Sequence, residues 1–209
     1  MYIKMLPFEK IAQHLKKELP AQNAHRLMAP PFRFSEKNKY IPNEKTKESA
    51  VLILFYPEQN EWLIPLMLRP DDNSVHSGQI SLPGGKKEQH ETLQQTALRE
   101  TWEEMGILID ESQVLGRLSD LYVPPSNFLI TPFVAFIDEK PNFNLNEKEV
   151  KELIKFSYID LLNDQKRKQK MITTKYMQSE VPYFEVQNHV VWGATAMILS
   201  ELKEICKQI

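Results

Sequence analysis

Gly84-Gly85-Lys86-Lys87-Glu88-Gln89-His90-Glu91 leads, seven residues later, into Arg99-Glu100-Thr101-Trp102-Glu103-Glu104-Met105-Gly106-Ile107. The pattern predicts a helix over residues 91–105, advancing about 100° per residue. On it Glu100 and Glu104 stack on one face, with Glu103 on the flank and Leu93 and Ala97 on the same stripe. An acidic cluster therefore continues a stripe that would otherwise be core. Carboxylates one turn apart repel by roughly 0.2–0.5 kcal/mol per pair, and the helix C-terminus disfavours negative charge. A hard divalent cation is the natural compensating partner, and Arg99 is placed to tie down one carboxylate through a two-pronged pair. Gly106 suits the left-handed residue that ends a helix. Upstream, Gly84-Gly85 after Pro83 lets the backbone approach a ligand closely, and a glycine-rich turn feeding a helix is a common phosphate-site design.

Outward from this stretch, residues 50–56 and 61–68 read as strands joined by the turn Pro57-Glu58-Gln59-Asn60. Further strands are predicted over 114–121, 129–137 and 151–158, the last running into a short helix at 159–162. Residues 171–176 and 182–191 read as a closing hairpin, and 194–205 as a final amphipathic helix. At the N-terminus, Phe8, Ile11, Leu15 and Leu19 mark a helix over 6–19 that Pro20 stops. From 21 to 49 the chain is rich in Pro, Lys and Asn and reads as an extended arm. The expected division is therefore 1–48, helix and arm, and 49–209, the main domain. Strands and helices intermixed in this way indicate an α/β layered architecture.

Composition narrows the field. The chain has 209 residues, 42% hydrophobic and 26% charged, enough for one sizeable core. Its 26 Lys and Arg against 28 Asp and Glu give a net charge of -2, which argues against nucleic acid or anionic membranes as partners. A lone Cys206 excludes a disulfide framework and a cysteine-based zinc site. Residues 50–56, the longest wholly apolar run, are too short to cross a bilayer. The first residues do not read as a secretory segment, so the expected location is the cytoplasm.

Gly85, Glu91, Arg99-Glu100, Glu103-Glu104 and Gly106 followed by Ile107 resemble the Nudix box at every charged and glycine position, with Thr101 where an aliphatic residue is usual. The resemblance implies an α/β/α sandwich with a mixed central sheet and hydrolysis of a diphosphate linked to another group. It implies Mg²⁺ or Mn²⁺ as cofactor, held by Glu100 and Glu104 with Glu103 close by. Glu103, Glu104 and Arg99 are the implied catalytic residues and Glu91 supports them. Glu147 and Glu149 are candidates for an extra loop ligand, although their stretch reads first as a solvated charge run.

A second resemblance concerns the substrate. Arg69, His76-Ser77-Gly78-Gln79 and Ile80-Ser81-Leu82-Pro83-Gly84-Gly85 are similar to the segment that precedes the box in coenzyme A diphosphatases. Pro124-Pro125-Ser126-Asn127-Phe128 and Val191-Trp192-Gly193-Ala194-Thr195 resemble later segments of that subgroup. Departures stand at Ser74, where a second basic residue is usual, and at Met67, Pro70, Asn73 and Leu82. Arg26, Arg33, Lys86 and Lys87 are candidates to replace the missing cation. The resemblance implies coenzyme A or a derivative as substrate, with Arg69, His76, Gly84, Gly85, Lys86 and Phe128 contacting it.

Tyr122 and Phe128 are stacking candidates, whereas Trp192 reads as packing the last helix onto the sheet. Met5, Met28 and Met105 read as core or interface fillers, and 166–170 as a solvated basic loop. Two rival readings remain: the same chemistry on ADP-ribose, NADH or another nucleoside diphosphate derivative, and a non-catalytic nucleotide sensor of the same fold. Retention of Glu100, Glu103 and Glu104 speaks against the sensor. A homodimer is the expected assembly from the commonness of two-fold oligomers.

Overall fold

The computed structural model describes residues 6–31, 33–34, 41–72, 76–173 and 178–209. Its spine is β1 (Lys47–Glu58), whose apolar run is buried on both faces, as a strand covered on two sides must be. A two-residue turn, Gln59-Asn60 with φ of 51° and 66°, folds it back into β2 (Glu61–Leu68). β1 runs parallel to β7 (Phe128–Phe136), from Lys47 opposite Phe128 to Phe55 opposite Phe136. Antiparallel partners complete a mixed sheet: β3 (Ile80–Ser81) and β8 (Glu152–Ser157) on β2, β4 (Gly84–Lys86) on β1, and β5 (Val114–Arg117) and β6 (Leu121–Val123) on β7. A smaller sheet holds β9 (Arg167–Thr173), β10 (Gln178–Val186) and β11 (His189–Trp192).

The period-two alternation of β1 builds two cores. Ala50, Leu52 and Leu54 pack with Ala97 and Met105 of α3 (Leu93–Met105). Ile53 and Phe55 point the other way, toward α1 (Phe8–Leu15) and α5 (Gly193–Cys206), with Phe8 stacked on Phe136 at 4.3 Å and edge-on to Trp62 at 4.8 Å. Helices thus cover both faces of the mixed sheet, the α/β/α arrangement expected.

Several expectations need correction. Residues 21–49 are not extended throughout, because α2 (Ala21–Arg26) forms directly after Pro20. The helix expected over 6–19 ends earlier, at Leu15, and Pro20, expected to stop it, instead sits at the cap of α2 with φ of -59°, already suited to helical backbone. The solvated loop expected over 166–170 is mostly β9, whose Lys168 bridges Glu185 at 2.6 Å. Its side chains stay in water while its backbone pairs with β10, the pattern of a charged edge strand. The strand expected over 114–121 divides into β5, which carries a bulge between Val114 and Gly116, and β6, with residues 118–120 in neither strand. The expected hairpin partners pair antiparallel as β9 and β10, but the strand expected over 182–191 breaks at Gln187-Asn188, where β10 turns back into β11; part of the expected strand over 171–176 lies outside the described residues. A short α4 (Tyr158–Leu162) follows β8. Met28 and Met105 are buried core residues; Met5 lies outside the described residues.

Candidate active site

α3 is defined by its ends. Thr92 caps it by accepting from the Gln95 amide, while the Gln95 side chain accepts from the Thr92 amide. Gly106, at φ of 72°, closes the last turn with its amide on the Trp102 carbonyl at 2.8 Å. Thr101, fully buried where an aliphatic residue was expected, turns its hydroxyl onto the Ala97 carbonyl at 2.7 Å and so leaves no orphan donor.

The glycines of β4 let α3 come close. A side chain on Gly84 would overlap the Ala50 carbonyl, and one on Gly85 would overlap the Glu100 carboxylate. The Gly84 amide donates to Glu104 Oε2 at 2.8 Å. Glu104 is 2% exposed, and this burial pushes its carboxyl up to about 8 against the opposing pull of that amide. Burial also raises Glu100, with Arg99 acting in the other direction.

Arg99 gathers the remaining acids. Its Nε and Nη2 grip both oxygens of Glu91 at 3.0 Å, and its Nη1 reaches Glu100 at 2.9 Å and Glu103 at 2.8 Å. Glu91 also accepts from the Glu88 amide at 2.7 Å and Thr96 Oγ1 at 2.8 Å. Its bonds to Arg99, ahead of those others, hold its carboxyl down at about 2. One guanidinium thus serves three glutamates of the box, Glu91, Glu100 and Glu103, and the acidic excess stays on the Glu100–Glu104 side.

That side faces an open cleft of about 520 Å³. Arg69, His76, Gly84, Gly85, Lys86 and Phe128, the expected substrate contacts, all line it, as do Glu100 and Glu104. Trp192 also lines it, besides packing at the start of α5. Arg99, Glu91 and Glu103 lie outside the lining, behind or beside the two glutamates. Ser74 and Asn73 are outside the described residues.

Glu149, read first as part of a solvated charge run, also lines the cleft, and its charge pushes Glu100 and Glu104 further up. Its loop is carried there by the Asn144 amide on the Met105 carbonyl at 2.9 Å and the Asn146 amide on the Glu104 carbonyl at 3.0 Å. Nothing in the run Asn146-Glu147-Lys148-Glu149 aims one glutamate inward, so only these long-range bonds single it out. Arg33, a candidate for the missing cation, lines the cleft, and Pro30, not singled out from sequence, lines it too. The donor chemistry suits a divalent cation: hard carboxylate oxygens, one of them deeply buried, with more negative charge than Arg99 neutralises. Among the described residues no three acidic, histidine or cysteine side chains stand ready around a single ion; Glu100 and Glu103 are both drawn to Arg99.

The family model of the NUDIX domain matches residues 46–175. The chain is 28% identical over 180 residues to a protein of Photorhabdus laumondii described as the uncharacterized Nudix hydrolase NudL, covering 86% of this chain and 91% of that one. A Pectobacterium atrosepticum protein of the same description is 32% identical over 162 residues, 77% of this chain and 83% of that one. Among solved structures, a MutT/nudix family protein from Enterococcus faecalis superposes with a TM-score of 0.52 at 17% identity, covering 98% of this chain and 73% of that one. RenU, a Nudix hydrolase from M. smegmatis, gives 0.51 at 17% identity, covering 87% and 94%. At these identities the two structures speak to the fold alone, and they agree with it.

Proposed function

The chain belongs to the Nudix family and is a hydrolase acting on pyrophosphate bonds; from that premise we propose that it splits the diphosphate of coenzyme A or its derivatives, releasing 4′-phosphopantetheine and adenosine 3′,5′-bisphosphate. One observation carries the choice of substrate. Three segments that resemble coenzyme A diphosphatases, far apart in the chain, meet on one cleft. Arg69, His76 and Gln79 come from before the box, Pro124–Ser126 and Phe128 from after it, and Trp192–Thr195 from the C-terminal end. They meet there with Glu100 and Glu104.

Nudix hydrolases generally use divalent metals such as Mg²⁺ or Mn²⁺. Here Glu100 and Glu104 would hold the ion, with Glu103 and Glu149 beside them. When bound, such an ion supplies neutralisation of diphosphate charge and activation of water. The chain's own residues supply the rest. The Gly84 amide fixes Glu104, and Arg99 holds Glu91, Glu100 and Glu103 in one rigid group. Arg69 and Lys86 bring positive charge to the cleft for the diphosphate oxygens. In the reaction a water oxygen bonds to one phosphorus, the bridging P–O bond breaks, and the water's proton passes to a base. Glu100, Glu104 and Glu149 are the carboxylates lining the cleft to receive it.

The test incubates the protein with Mg²⁺ or Mn²⁺ and, in parallel, coenzyme A, ADP-ribose, NADH and a nucleoside triphosphate, separating products by chromatography. Adenosine 3′,5′-bisphosphate from coenzyme A is expected, with Glu104→Gln reducing turnover by about 100-fold or more. Faster turnover of ADP-ribose or NADH would overturn the substrate. Binding without turnover of any of them would overturn the catalytic reading.

A further inference from the structure

The N-terminal segment forms a wall of the cleft, and it is built in rather than draped over the surface. Glu201 of α5 is fully buried and accepts from His25 Nε2 at 3.0 Å and the Ala21 amide at 3.0 Å, both of α2. It also takes the Ser119 hydroxyl at 2.6 Å and the Ser119 amide at 3.2 Å, just before β6. The Ser200 hydroxyl meets the Ala24 carbonyl at 2.8 Å, and Met28 and Ala29 are buried in the core. One carboxylate therefore locks α2 and the approach to β6 together. The chain then turns, with the Arg33 amide on the Pro30 carbonyl at 3.0 Å, and delivers Pro30 and Arg33 to the cleft. Arg33 Nη2 donates to the Tyr122 carbonyl of β6, and its guanidinium lies 5.7 Å from the Phe34 ring centroid.

Arg33 lies across the sheet from the glutamates. Lys86 of β4 pairs with Ser49 of β1, Ser49 with Ile130 of β7, and Ile130 with Leu121 of β6. Three strand spacings, about 14 Å, separate β4 from β6. Arg69 and Lys86 serve the carboxylate end, while Arg33, anchored on the residue after Leu121, serves the opposite end. A fixed guanidinium in a cleft is suited to phosphate oxygens.

We propose that Arg33 is a specificity-determining contact for a phosphate carried by the substrate beyond the scissile diphosphate, chemically the 3′-phosphate of an adenosine 3′,5′-bisphosphate moiety. The assignment rests on the diphosphatase reading above and extends it to a residue outside the box and its flanking motifs.

Calorimetric binding of adenosine 3′,5′-bisphosphate and of 5′-AMP tests it without turnover, on the wild type, Arg33→Ala and Arg33→Lys, each checked for an unchanged melting temperature. The wild type is expected to prefer the bisphosphate by about tenfold or more. Arg33→Ala is expected to bring the ratio near one while leaving AMP affinity within about twofold, and Arg33→Lys to restore part of the preference. A wild type with no preference or no binding, an unchanged ratio in Arg33→Ala, or equal losses for both ligands overturns the proposal. Failure to cleave coenzyme A in the separate turnover assay would count against the substrate reading while leaving this ratio to decide on Arg33.

Discussion

Glu104 is a carboxylic acid in a place that disfavours its charge. It is almost wholly buried, its one backbone partner is the Gly84 amide, and burial lifts it from an ordinary value of 4.5 to about 8. Between those two values the native protein holds a proton that the unfolded chain has released. Stability of the metal-free protein must then fall as pH rises through that window, by at most about 1.4 kcal/mol per pH unit from this group. The melting temperature in chelator is expected to drop from pH 5 to pH 8, and Mg²⁺ is expected to raise it more at pH 8 than at pH 5, since a dication compensates the ionised form. Glu104→Gln should flatten both trends. A Mg²⁺ effect of equal size at both pH values would show that the ion binds elsewhere.

At the level of the element, α3 sets Glu100 and Glu103, with Glu91 at its threshold, around a single guanidinium. Their mutual repulsion is offset by the geometry of Arg99 and not by its charge alone, because three of its nitrogens are used at 2.8–3.0 Å. Lysine keeps the charge and loses the fork. Arg99→Lys is therefore expected to lower stability by about 1–3 kcal/mol in urea melts at pH 7. Glu91 is held at about 2 in the fold, so its stabilising contribution is present above 4.5 and lost as pH falls toward 2. The gap between wild type and Arg99→Lys should narrow across that acid range; a constant gap would mean that the Glu91 pair contributes little.

For the whole molecule, the buried Glu201 joins parts of the chain that are distant in sequence: Ala21 and His25 on one side, Ser119 on the other. Its carboxyl is held low by His25 and Ser119 against the upward pull of burial. Removing the acceptor strands several buried donors at once. Glu201→Ala is expected to cost about 3–5 kcal/mol and to expose the first 34 residues to limited proteolysis before the rest of the chain. An unchanged melting temperature, or cleavage spread evenly along the chain, would show that the N-terminal segment is held by other contacts.

Helix α3, the β1–β2 hairpin and the carboxylate pair Glu100 and Glu104 were legible from the amino-acid sequence by itself, because each depends on residues within a turn or two of one another. A capping box, an αL glycine and an i,i+4 spacing are local facts, and so was the α/β layering that follows from strand and helix periods. Only the tertiary structure decided that Glu149 faces the cleft while Glu147 does not line it, that Pro30 and Arg33 form its far wall, that α2 starts at the proline expected only to stop a helix, and that the basic run from Arg167 pairs as an edge strand. Each of these outcomes rests on hydrogen bonds or packing between distant segments, such as Asn146 on Glu104, His25 on Glu201 and β9 on β10. Side-chain type and local spacing carry no information about which distant backbone will arrive to make such a bond.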